Sequence, residues 1–145
     1  MSLHRRPVGR GRLLAGLSAI VLIIACVPAW WTAGSASEGL PQISGNAFDG
    51  PSIAVFLVAL ATLALITLPY ASDRPVGFDR WWAYAALAIV GWVGLGLRVI
   101  DLALTPGGPG TMTPDRAPGL WLAVLGLGIL SRASYLISRE PEYRY

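Results

Sequence analysis

Residues 51–70 read PSIAVFLVALATLALITLPY, and no charged residue occurs anywhere from Gly50 to Ser72. About twenty apolar residues, each rising about 1.5 Å in a helix, cross a hydrocarbon core about 30 Å thick. Lipid offers no partner to a bare N–H or C=O, so such a stretch is helical. Its ends agree. Asp49 or Gly50 ahead of Pro51 suits an N-cap followed by a first-turn proline, whose missing donor costs little there. Pro69 closes the segment.

Working outward, three more stretches lack charge: residues 13–37, 81–97 and 117–131. They give spans at about 13–31, 81–100 and 118–137 beside the one at 51–70. Pro118 behind Asp115 repeats the proline start, and the run Thr105-Pro-Gly-Gly-Pro-Gly110 cannot continue the third span. Arg132 interrupts the fourth, where its stem can carry the guanidinium to the interface; a re-entrant segment is the other reading of that stretch. Only 13% of the 145 residues are charged, where a soluble domain carries about a quarter. An ordinary soluble globule, a disordered tail and a disulfide scaffold are all excluded. The expected fold is all-α, an up-down four-helix bundle integral to a membrane, between a basic segment over residues 1–12 and a tail over 138–145.

Arginine placement gives the direction. Arg5, Arg6, Arg10 and Arg12 precede the first span, Arg74 and Arg80 lie in the second loop, and Arg139 and Arg144 lie in the tail. The first loop has none and the third only Arg116. Both termini are therefore expected to be cytoplasmic. Trp30, Trp31 and Trp121 would then mark the outer boundary, and Tyr70, Trp81, Trp82 and Tyr135 the inner one. The net charge of +3 follows from this bias. Nucleic-acid binding is not implied, because no loop combines a basic stripe with stacking aromatics. All eleven basic residues are arginine, which suggests a GC-rich bacterial genome and hence a bacterial plasma membrane.

The first span has a second reading. Arg5-Arg6, an apolar run and Ile23-Ile24-Ala25-Cys26 resemble a lipoprotein signal ending in the cysteine to be lipidated. Against it, Val27-Pro28 stands where small polar residues are usual, and Trp30-Trp31 continues the membrane pattern. Cys26 is otherwise a small apolar residue near a helix end. Cleavage after Ala36, behind Gly34-Ser35, is a further possibility.

Function inside a membrane shows as polar residues within spans, and these are few. His4, the one histidine, lies in the N-terminal segment, which excludes an intramembrane bis-histidine haem and histidine ligation of chlorophyll. One cysteine cannot form an internal disulfide, so quinone-linked thiol chemistry is excluded. No serine–histidine pair, metal-ligand spacing or phosphate loop occurs. Small multidrug exporters need a carboxylate inside the first span, and none is present here. No cofactor is expected.

The most polar point is Arg98 with Asp101, three residues apart on one helix face near the outer end of the third span. It reads as a snorkelling arginine neutralised by its neighbour, or as an ion contact at an outer vestibule. Trp92 lies near the bilayer middle, where its indole N–H needs a partner such as a backbone carbonyl or Thr62. Small residues recur at helical spacing: Ala85, Ala88, Gly91 and Gly94 in the third span, Gly119, Ala123 and Gly126 in the fourth, and Ala15 and Ala19 in the first. Small side chains let membrane helices approach closely, within one bundle or between proteins. The loop over residues 32–50 is expected to fold back on the helix ends, while Gly107-Gly108-Pro109-Gly110 reads as a flexible connector. The second loop, with two Asp-Arg dipeptides, reads as interfacial charge pairing.

The Trp30-Trp31-Thr32 exit, the glycine-rich loop leading to Asn46-Ala-Phe48 and the small-residue fourth helix resemble those of small four-span membrane proteins from high-GC bacteria. That group has no assigned activity, so the resemblance implies a topology and no reaction. The sequence thus favours a non-catalytic membrane protein, an accessory or scaffold subunit whose partners are the bilayer and other membrane subunits. The alternative is a small oligomeric channel or transporter with Arg98 and Asp101 at its outer mouth.

Overall fold

The computed structural model describes residues 8–71 and 80–140. The second loop's charge pairs, His4 and the end of the tail lie outside the described residues. Among those described, four α-helices dominate: α1 (Arg10–Ala25), α2 (Ile53–Ala71), α3 (Trp81–Leu104) and α4 (Pro118–Ser138). Three segments are long and apolar enough to cross a membrane, Gly50–Ala71, Trp81–Leu104 and Pro118–Ser138.

The helices run up and down in a closed ring, each packed against its chain neighbours, with α1 and α4 sharing the widest contact. Arg12 at the start of α1 meets Glu140 beyond the end of α4, at 3.0 Å. At the other end, the Gly119 amide opening α4 donates to the Ala29 carbonyl just past α1, at 3.0 Å. α1 and α4 are therefore antiparallel along their whole length. The seam between them is made of small residues. Ala15, Ala19, Ala123 and Ala133 are fully buried, and Leu22, Leu127 and Leu130 fill the spaces between them. Midway along, the Ser18 hydroxyl donates to the Gly126 carbonyl at 2.8 Å. A buried hydroxyl needs such a partner, and this one also pins the register of two otherwise smooth apolar faces.

The first helix differs from the expected span over 13–31. It occupies Arg10–Ala25, 16 residues, which is about 24 Å of rise. Pro28 is the cause. It has no N–H to continue the ladder and disfavours α geometry at Val27. The amides of Cys26 and Val27 instead make tight bonds to Ile23 and Ile24. Trp30 then folds back and donates its indole N–H to the Ala25 carbonyl at 2.8 Å. It is fully buried, so it is a core residue and not a boundary aromatic.

The fold is mostly helical but not purely so. β1 (Trp31–Ala33) and β2 (Ile43–Gly45) pair antiparallel, Trp31 opposite Gly45 and Ala33 opposite Ile43. Together with 3-10 turns at Ala36–Glu38, Gly50–Ser52 and Gly108–Met112, this hairpin forms a cap over one end of the bundle. The Thr32 hydroxyl donates to the Arg116 carbonyl at 2.7 Å, joining the two inter-helix connections. The run at Gly107-Gly108-Pro109-Gly110 is part of this cap and not a free connector, since Thr111 beside it is buried and bonds back to the Gly108 carbonyl. Nor does Asp49 cap α2: its Oδ2 accepts from the Asn46 amide at 3.0 Å. Gly50, at φ +73°, opens a turn that leads into the helix.

Candidate functional site

Arg98 lies on the last third of α3, at the capped end. Its side chain is only 9% exposed and one guanidinium nitrogen, Nη1, meets Asp101 Oδ2 at 2.8 Å. Asp101 itself is 56% exposed, so the pair is half in solvent and its net worth is small. The buried Arg98 Nε has no partner. Gly50 makes the arrangement possible, because a Cβ there would lie 3.3 Å from Arg98 Nη1. The arginine thus lies beside the turn that opens α2, and its one carboxylate among the described residues is on the solvent side.

The small residues singled out on α3 and α4 face inward. A Cβ on Gly91 would strike Leu127, one on Gly94 would lie 2.6 Å from Ala54, and one on Gly126 2.7 Å from Leu22. Gly119 is the least forgiving, since its Cβ would sit 2.7 Å from the backbone carbonyls of both Ala25 and Pro28. Ala88 and Ala123 are buried and Ala85 is half-buried. These residues set inter-helix distances within the bundle.

Trp92 does not reach Thr62, whose hydroxyl bonds the Val58 carbonyl of its own helix at 2.8 Å. The indole N–H instead donates to Ser131 Oγ on α4 at 3.0 Å, and Ser131 passes the bond to the Leu127 carbonyl. Trp92 is 38% exposed, so it staples α3 to α4 from the outer surface. Cys26 is buried, its thiol directed at the Leu22 carbonyl at 3.1 Å.

Two concavities stand out among the described residues. A polar depression of about 250 Å³ lies in the cap, lined by Val27, Ala29, Ser44, Gly45, Asn46 and Asp49. An apolar groove of about 520 Å³ runs between α2 and α3 in the half away from the cap. Ala61, Ala64, Leu65 and Leu68 form one wall, and Trp82, Ala83, Ala86, Leu87 and Val90 the other. α2 is also the least enclosed of the three long apolar helices, 28% buried against 44% for α4. Sequence reasoning missed the groove. The signal was available as Ala61 and Ala64 on α2 with Ala83 and Ala86 on α3, each pair three apart. On α3 this row lies beside the Ala88–Gly91–Gly94 row, rotated towards the outside.

At the uncapped end the charge is basic. Tyr135 on α4 holds the Arg132 guanidinium 5.4 Å from its ring centre and that of Arg139 at 5.2 Å. Arg139 Nη2 also donates to the Tyr135 hydroxyl at 3.0 Å.

What the fold and these features define is a mostly helical chain with three helices able to span a membrane, a closed cap at one end and a lateral groove near the other. Comparison with protein families, curated proteins and solved structures finds no match to this chain.

Proposed function

We propose that the chain is a non-catalytic accessory or scaffold subunit that receives a helix of another membrane protein in the α2–α3 groove. In this reading all four helices cross a bacterial plasma membrane, with both termini cytoplasmic and the cap outside. The observation that carries it is the groove itself. Lipid supplies no hydrophobic drive for helix association, so close packing along small residues does the work. Four alanines line a channel that none of the described residues fills. The inward-facing glycines already hold the bundle together, which leaves the outward alanine rows for a partner.

α1 stays attached in this reading. Removal at Cys26 or after Ala36 would strip Ala15, Ala19 and Leu22 from the core and expose the inner face of α4.

Native purification is expected to yield one membrane partner in fixed proportion. Ala64→Trp combined with Ala86→Trp should fill the groove, release that partner and leave the melting temperature of the chain unchanged. Isolation of the native chain alone from its own membrane, or retention of the partner by the filled variant, would overturn the proposal. The channel reading rests on the half-buried Arg98–Asp101 pair at the capped end. A single chain is filled along its axis by Leu22, Leu127 and Leu130, so conduction would require several copies. Liposome flux abolished by Arg98→Ala would establish it.

A further inference from the structure

We infer that α4 carries a binding site for an anionic phospholipid, with the headgroup phosphate held by Arg132, Tyr135 and Arg139. The inference rests on the membrane-spanning reading given above. Trp121, Leu125, Gly128, Arg132, Tyr135 and Arg139 are spaced alternately four and three apart, which places them on one stripe of the helix. All six are exposed. The stripe changes character along its length. Its first half is apolar and contains a notch, because nothing lies within 4 Å of the position a Cβ would take on Gly128. Its second half is two guanidiniums about one phenol.

Among the described residues nothing neutralises the second half. Like charges sharing one ring repel, and among the described residues no carboxylate pairs with Arg132 or Arg139. Glu140, the nearest acid along the chain, is bound to Arg12 on the opposite side of α4. Tyr135 Oη accepts from Arg139, which leaves its own O–H free to donate. Two guanidiniums and a phenol hydroxyl are thus grouped on one exposed face with no described carboxylate between them, and a phosphate complements all three. Arg132 is six residues before the end of α4, about 9 Å inside it. In the membrane reading its stem carries the guanidinium from there towards the headgroup level, which favours a lipid over a free anion. An acyl chain would lie along Leu125 and the notch at Gly128. The net positive charge selects a headgroup that is negative overall over a zwitterionic one.

The test is binding of phosphatidylglycerol and of phosphatidylcholine to the full chain in neutral detergent. The native chain should prefer phosphatidylglycerol. Arg132→Gln or Arg139→Gln should weaken that lipid about five-fold each, and the double variant about thirty-fold. Tyr135→Phe should weaken it less, and Arg116→Gln at the capped end should change nothing. All these side chains are exposed, so the melting temperature should hold. Equal binding of the two lipids, or an unaltered double variant, would overturn the site. Displacement of the lipid by millimolar inorganic phosphate would overturn the assignment to lipid. Failure of the membrane reading is separate, because it would appear as release of the chain from vesicles by carbonate.

Discussion

The two glycines Gly119 and Gly96 show how one residue type serves opposite ends. At Gly119 a methyl group would meet two backbone carbonyls at 2.7 Å and Trp30 Cδ1 at 2.8 Å. Backbone cannot turn aside as a side chain can, so Gly119→Ala forces the start of α4 away from α1. It is expected to lower stability in detergent by about 1–3 kcal/mol. At Gly96 nothing lies within 4 Å, and Gly96→Ala should stabilise the helix by up to about 1 kcal/mol. Thermal melting of the two variants side by side checks both signs. Arg98 and Asp101 make a second contrast. Asp101→Asn leaves a buried guanidinium unpaired and is expected to cost about 1 kcal/mol, the exposure of Asp101 keeping it at the low end. Arg98→Met removes the buried charge together with the orphaned Nε and is expected to be neutral or stabilising. Should Arg98→Met prove the more damaging of the two, the pair would hold the turn at Gly50 in place and not merely tolerate burial.

At the scale of the element, what was legible in the sequence and what was not divide along a physical line. α2, α3 and α4 were legible because hydropathy and proline punctuation are local: a charge-free run, Pro51, Pro69 and Pro118. α1 was read as ending at Trp31 because hydropathy runs on through Val27, Trp30 and Trp31, although Pro28 stood there to stop it. What turns the chain back is the bond from Trp30 to the Ala25 carbonyl, and the indole finds room there only beside Gly119, where a Cβ would lie 2.8 Å from Trp30 Cδ1, a long-range contact which no local pattern encodes. The hairpin was illegible for the same reason. Its strands are three residues each, too short to show alternation. Gly45 is required because a Cβ there would strike Asp49 Oδ2 and Trp31 Nε1, a contact visible only once the strands are paired. Of the candidate site, Arg98 and Asp101 were legible from three-residue spacing, whereas the groove needed the packing of α2 against α3 to be known. The cap is expected to behave as folded structure. The Trp30 amide, bonded to the Gly45 carbonyl at 2.7 Å, should exchange hydrogen far more slowly than the amides of exposed Ser37 or Gln42. Equal, fast exchange at all three would make the segment a mobile loop after all.

For the whole molecule the decisive property is that the start of α1 and the end of α4 meet. Arg12 and Glu140 are in contact at 3.0 Å, so in the proposed membrane reading the number of crossings is even, whichever way the bundle faces. Arg10, Arg12, Arg80, Arg132 and Arg139 gather at that end, against Arg98 and Arg116 at the capped one, and in the proposed reading this positive-inside bias is what faces that end to the cytoplasm. Glu38, Asp49, Asp101 and Asp115 lie at the capped end, but acids contribute little to orientation, so that reading rests on the arginines. α1 is the helix on which this depends, because its 16 residues are short for a hydrocarbon core of about 30 Å. Its enclosure by α2 and α4 limits how much of it meets lipid, and its flanking residues can make up the difference at the interfaces. Tags at residue 1 and residue 145 are therefore both expected inside, protected from protease in intact cells, on a chain whose intact mass includes α1. An outside C-terminal tag would reverse the arginine argument. A missing N-terminal tag on an otherwise stable chain would mean that α4 keeps its fold without α1, and the packing of Ala15, Ala19 and Leu22 against it would no longer explain the bundle.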